Sequence, residues 1–66
     1  MVDGRKIRML RESENLTAIE FAEKVISTQA MISFIETGVK QPSVALLKRI
    51  ADYFGRKVDD FIMDIR

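Results

Sequence analysis

The chain has 66 residues, with 11 Lys and Arg against 10 Asp and Glu, and neither histidine nor cysteine. Without cysteine there are no disulfides or thiolate metal sites, and without histidine the commonest general base is missing, so catalysis is not expected. A net charge of +1 is far from the basic balance of an obvious nucleic-acid binder, and no run approaches the ~18 apolar residues of a membrane span.

Proline occurs once, at Pro42, and no repeat, linker or low-complexity tract interrupts the chain. One all-α domain over residues 1–66 is therefore expected, near the lower size limit for unaided folding. No charged-then-apolar leader is read, which makes the cytoplasm the expected compartment. Asp59 and Asp60 adjoin but have no third ligand at metal spacing, and no Gly-rich phosphate loop exists, so no metal, cofactor or small-molecule ligand is expected.

Asp3 can cap a first helix that turns Ile7 and Leu10 inward, with Met9 at the margin, and closes near Glu14 and Asn15. The stretch Leu16–Gly38 organises the rest. Thr17 and Glu20 make a T-x-x-E capping box, Leu16 and Phe21 stand where a hydrophobic staple would clamp the entry, and Phe21, Ala22, Val25 and Ala18 share one face. A third helix opens at Ser27 or Thr28 and stops at Gly38, a residue suited to left-handed backbone. After the loop from Gly38 to Pro42, Ser43 can cap a fourth helix with an apolar stripe of Val44, Leu47, Ile50, Ala51 and Phe54, widened by Leu46 and Tyr53 and closed by Gly55. A short fifth helix starts near Val58 or Asp59. Period-two alternation is nowhere present, so strands are not expected.

The third helix carries the functional reading. At about 100° per residue, Thr28, Met31, Ile32 and Ile35 fall on one side. Gln29, Ala30, Ser33, Phe34 and Thr37 fall on the other. That outer face is thin and hydrogen-bonding, not the Lys/Glu mix of a solvated helix, and it suits entry into a DNA major groove. The fifth helix poses a different question, because Phe61, Ile62, Met63 and Ile65 cannot all enter one small core. A homodimer contact through Phe61, Ile62 and Ile65, a different protein partner and a frayed tail are the three readings.

IRMLRE at 7–12, LT-x-x-EFAEKV at 16–25, IS-x-IE-x-G at 32–38, PS at 42–43, LLKRIADYFG at 46–55 and VDDFI at 58–62 follow one another without a gap. In this order and spacing they resemble the Cro and λ-repressor type of helix-turn-helix protein, the XRE family of transcriptional regulators. The resemblance covers Ile7 to Ile62. It implies a compact bundle of five short helices whose second and third form the DNA-reading unit, about residues 17–37.

The resemblance also implies roles. Thr28 and Gln29 match the start of the recognition helix, and a glutamine amide can pair bidentately with adenine N6 and N7. Ala30 can touch a thymine methyl, Ser33 can bond several bases, Thr37 replaces a common phosphate-binding asparagine, and Lys40 lies in the basic loop that meets the backbone. Arg11 and Glu36 match an ion pair between the first and third helices. Apart from the resemblance, Arg5, Lys6 and Arg8 read as a solvated face rather than a phosphate clamp, although Arg5 or Lys6 could reach a flanking phosphate.

Besides Thr37, four positions depart from the pattern. Ala18 stands in place of a phosphate-binding glutamine, and Ile26 in place of the turn glycine, where left-handed backbone costs a β-branched residue about 1–2 kcal/mol. Ile19 and Phe34 replace polar residues. Phe34 can meet thymine methyls, pack inward or serve a protein partner. The expectation is thus a sequence-specific regulator of double-stranded DNA, a repressor acting as a homodimer, with half-sites about 34–36 Å apart. The alternative is the same fold used as a protein-interaction module, an antirepressor or antitoxin-like adaptor.

Overall fold

Side-chain caps decide where the helices begin. In the computed structural model, which describes residues 1–63, the four α-helices are α1 (Gly4–Ser13), α2 (Ala18–Lys24), α3 (Gln29–Glu36) and α4 (Val44–Tyr53). Each starts behind a short polar residue that accepts from a backbone amide three positions on: Lys6 donates to Asp3 Oδ1 at 3.2 Å, Glu20 to Thr17 Oγ1 at 3.1 Å, Met31 to Thr28 Oγ1 at 3.1 Å and Leu46 to Ser43 Oγ at 3.1 Å. The Thr17 amide donates in return to Glu20 Oε1 at 2.9 Å, completing the capping box. Caps of this kind contribute about 1 kcal/mol each, a large share for a chain this short.

The four helices also end alike. Beyond each C-cap the next residue has positive φ: Asn15 at 57°, Ile26 at 57°, Gly38 at 80° and Gly55 at 65°. The following amide then bonds five residues back, Leu16 to Arg11, Ser27 to Ala22, Val39 to Phe34 and Arg56 to Ala51, at 2.8–3.2 Å. This is the Schellman closure, which satisfies carbonyls that a helix end would otherwise orphan. Three of its four positions carry residues that tolerate left-handed backbone. Ile26 does not.

The core gathers one face from each helix: Ile7 from α1, Phe21 and Ala22 from α2 with Val25 at its cap, Ile32 and Ile35 from α3, and Leu46, Leu47, Ile50 and Ala51 from α4. Phe21 stacks with Tyr53 and Phe54 at centroid separations of 5.9 and 5.4 Å. Val44 is 83% exposed, because the first residue after the cap precedes the turn at which α4's stripe faces inward. Met9 likewise points to solvent.

The expected fifth helix is a single 3-10 turn, Val58–Phe61. Ile62 after it is extended and pairs with Val2 in an isolated antiparallel bridge. Asp3 donates to the Phe61 carbonyl at 2.7 Å, and Met63 to that of Met1 at 2.8 Å. Phe61 itself is fully enclosed by its own chain, beside Phe54 at 6.4 Å, so it is core and not the dimer surface expected of it. Ile62 remains 46% exposed, while Ile65 lies outside the described residues. No helix among the described residues is long and apolar enough to cross a membrane.

Candidate nucleic-acid interface

The geometry of the site follows from how α3 is anchored. Ile32 and Ile35 are buried, and Met31 is half-buried against the same core. The remaining face is turned to solvent, with Gln29, Ala30, Ser33 and Thr37 all exposed and Phe34 at 36%.

One end of α3 and the turn that leads into it are held by other helices. At its C-terminal end Glu36 receives a bidentate pair from Arg11 of α1: Nε donates to Oε2 at 2.7 Å, and Nη2 to Oε1 at 3.0 Å. Arg11 Nη1 donates a third bond, to the Leu16 carbonyl at 2.7 Å, and the two charged side chains are only 11% and 6% exposed. The hydrogen bond to Glu36, reinforced by the attraction between the charges, raises the Arg11 pKa above its ordinary value although burial opposes the shift. Gly4 opens α1 directly against this end. A Cβ there would collide with the Ile35 carbonyl and meet the Glu36 backbone at 3.0 Å. At the other end Arg49 of α4 reaches the turn, with Nε donating to the Val25 carbonyl at 2.8 Å and Nη2 to that of Ile26 at 3.4 Å. A guanidinium at the C-terminal end of α2 also meets the negative pole of that helix.

The polar groups on the outer face differ in what they have left to offer. Gln29 and Ser33 make no side-chain hydrogen bond among the described residues, so the whole amide and the hydroxyl are open to a partner. Thr28 uses its oxygen as the cap acceptor and keeps its proton, which can be donated to a phosphate. Thr37 is the reverse case. Its hydroxyl donates to the Ser33 carbonyl at 2.8 Å, and because a hydroxyl has one proton, a phosphate contact through Thr37 requires that bond to be given up.

The cations separate in the same way. Lys40 is exposed in the loop after α3, with its ammonium 4.8 Å from the Phe34 ring centroid. Lys6 donates to the Asp60 carbonyl at 2.8 Å and Arg8 pairs with Glu12 at 3.4 Å, leaving exposed Arg5 as the more available of the early cations. On α2, hydrogen bonds from the Thr17 amide and hydroxyl lower the Glu20 pKa, so this carboxylate is held charged at the helix entry.

Gly4, Arg49 and Gln41 have no local signature. Gln41 Oε1 accepts from the Val2 amide at 2.8 Å and so ties the loop after α3 to the bridged N-terminal segment. Only the tertiary arrangement gives these three residues their roles.

A family model described as helix-turn-helix matches residues 7–61, from within α1 to the end of the 3-10 turn. The chain belongs to the XRE-type helix-turn-helix family. Its members are transcriptional regulators and not enzymes. A protein of Methanocaldococcus jannaschii described as an uncharacterised HTH-type transcriptional regulator is 34% identical over 58 residues, which covers 88% of each chain. Another of the same description, from Archaeoglobus fulgidus, is 37% identical over 60 residues, covering 89% of this chain and 84% of that one. Among solved structures, the clp gene regulator ClgR of Corynebacterium glutamicum superposes with a TM-score of 0.76 at 30% identity. That match covers 86% of this chain and 61% of ClgR. In this helix-turn-helix protein α2 and α3 are the motif, and Ile26 stands in the turn between them.

Proposed function

We propose that the protein is a sequence-specific, cytoplasmic regulator of double-stranded DNA that acts as a homodimeric repressor, each protomer placing α3 in the major groove. One observation carries this reading: the Gln29 amide and the Ser33 hydroxyl, without a side-chain partner among the described residues, project from one exposed face of a helix whose other face is buried, whose C-terminal end is clamped by Arg11 and whose preceding turn is tied by Arg49. Side chains carried on an already ordered helix and free of protein partners suit base readout, because their hydrogen bonds then form without first ordering the helix. Gln29 reads a base edge, most simply adenine. Ser33 and Ala30 complete the base-facing surface, and the Thr28 hydroxyl and Lys40 ammonium meet phosphates.

Two α3 helices can occupy successive major grooves only if a two-fold contact sets them about 34–36 Å apart. Exposed Ile62, flanked by Met63 and Met1, is the apolar surface proposed for that contact. Occupancy of the operator is then sufficient for repression.

The test is selection from random duplexes at ~150 mM salt, where phosphate attraction alone is already weak. Enrichment of a motif with two related halves supports the reading; failure to enrich any sequence over bulk DNA ends it. The exposed Ile19 and Ile26 beside a near-neutral net charge favour one second reading, a protein-interaction module built on the same fold. Absence of binding to any duplex even at low salt would point to that module, since phosphate attraction gives a DNA binder some affinity there.

A further inference from the structure

Phe34 is out of place on a polar face, and its neighbours explain it. The carbonyl of Phe34 accepts from two amides of the following loop, Val39 at 2.8 Å and Lys40 at 3.2 Å. Gly38, at φ 80°, reverses the chain to make this possible. The loop is thereby folded back over the residue it leaves, and the Lys40 ammonium comes to rest 4.8 Å from the ring centroid. That distance is within the range of a cation–π contact, in which the negative face of the ring attracts the charge.

We propose that Phe34 is a positioning residue for Lys40: its ring holds the ammonium at the edge of α3, aimed at the phosphate backbone, and does not itself read a base. A free lysine is a flexible four-carbon stem that loses rotamer freedom when it meets a phosphate. A lysine already lying on an aromatic face has lost part of that freedom before DNA arrives, so its contact is stronger by the amount not lost. Because the ring is occupied by the ammonium, the thymine-methyl role open to an exposed Phe is set aside. The effect is independent of sequence, since phosphates carry no base identity. The inference rests on the DNA-binding reading above for the phosphate role, while the platform is a property of the free protein.

The experiment has two parts. In the free protein, proton NMR of the Lys40 ε-methylene reads the ring directly: upfield displacement is expected in the unsubstituted protein and in Phe34→Tyr, and its loss in Phe34→Leu. Affinity for a nonspecific duplex at low salt is then measured for Phe34→Leu, Lys40→Ala and the double variant. Phe34→Leu is expected to weaken binding about 2- to 5-fold on every duplex, the share of an immobilised lysine's ordering cost that the ring meets in the free protein, with Phe34→Tyr restoring it. In the Lys40→Ala background the Phe34→Leu change is expected to have no further effect. A missing upfield displacement overturns the inference, as does an undiminished Phe34→Leu effect once Lys40 is gone, or an effect confined to one base position. If the unsubstituted protein binds no duplex at all, the parent reading fails and the phosphate role falls with it. Normal wild-type affinity with additive losses overturns the positioning role alone.

Discussion

Ile26 is the sharpest place to test the physical account, because it is a β-branched residue in left-handed backbone, φ 57°, and 76% exposed. Left-handed geometry costs an L-residue with a Cβ about 1–2 kcal/mol, so replacing Ile26 by glycine recovers that amount. Glycine in turn loses more backbone freedom on folding, about 0.5–1 kcal/mol. With three quarters of the side chain already in water, little apolar burial is lost. The net expectation for Ile26→Gly is a gain of about 0–1.5 kcal/mol, centred near 0.75 kcal/mol, and the centre of that range raises Tm in a chain of this size by about 3–6 °C. Urea unfolding should show a higher midpoint at unchanged m. Ile26→Ala, which keeps a Cβ, is expected to recover much less. A loss of stability in Ile26→Gly larger than about 1 kcal/mol would refute the reasoning, since it would mean that the isoleucine makes contacts that outweigh the left-handed penalty. The Arg49 bonds to the Val25 and Ile26 carbonyls help hold the strained turn, and they involve backbone atoms that the substitution retains.

Glu36→Ala leaves the Arg11 guanidinium enclosed without its partner, and a loss of about 3–5 kcal/mol is expected by urea unfolding. Total stability for 66 residues is about 3–10 kcal/mol, so this variant stands at the edge of unfolding, and the double change Arg11→Met with Glu36→Leu should restore most of the loss. A single-variant cost below about 1 kcal/mol would show the pair to be solvated in solution. Gly4→Ala drives a methyl into the Ile35 carbonyl and should cost about 1–3 kcal/mol or more, whereas an unchanged urea midpoint would show that α1 does not press on α3 there. Ile62→Glu should give monomers by sedimentation with helical content retained, because Ile62 is half-exposed; Phe61→Glu should instead unfold the chain. A dimer that survives Ile62→Glu would remove Ile62 from the proposed contact.

The helices and their boundaries were legible because they rest on local chemistry. Thr17 with Glu20, Thr28, Ser43 and Asp3 announce helix starts by residue type alone, and Asn15, Gly38 and Gly55 announce the ends. The faces of α3 follow from spacing for Ile32 and Ile35 inward and Gln29 and Ser33 outward, whereas Thr28, placed by spacing on the inward side, is the exposed N-cap. What was not legible depends on residues distant in the chain. The last helix is shorter than its residues suggest, because Val58–Phe61 carries helical signals for one turn only. Its continuation is decided by pairing with Val2, some sixty residues away. That pairing, with Phe54 alongside, also draws Phe61 inside, which apolar crowding read along the chain does not disclose. Gly4 resembles any N-terminal glycine until α3 is laid against it, and Arg49 resembles any surface arginine until the Ile26 turn comes within reach. Thr37 was assigned by analogy to a phosphate contact, yet its proton is held by the Ser33 carbonyl, a detail of hydrogen placement that residue type does not carry.

If the Gln29 amide reads a base from the anchored α3, the binding of Gln29→Ala to a selected operator and to all its single-base-pair variants will show it. Preference should collapse by about 1–3 kcal/mol at one symmetry-related pair of positions and be kept elsewhere, with helical content and urea midpoint unchanged. An identical preference profile with and without the Gln29 side chain would contradict that reading.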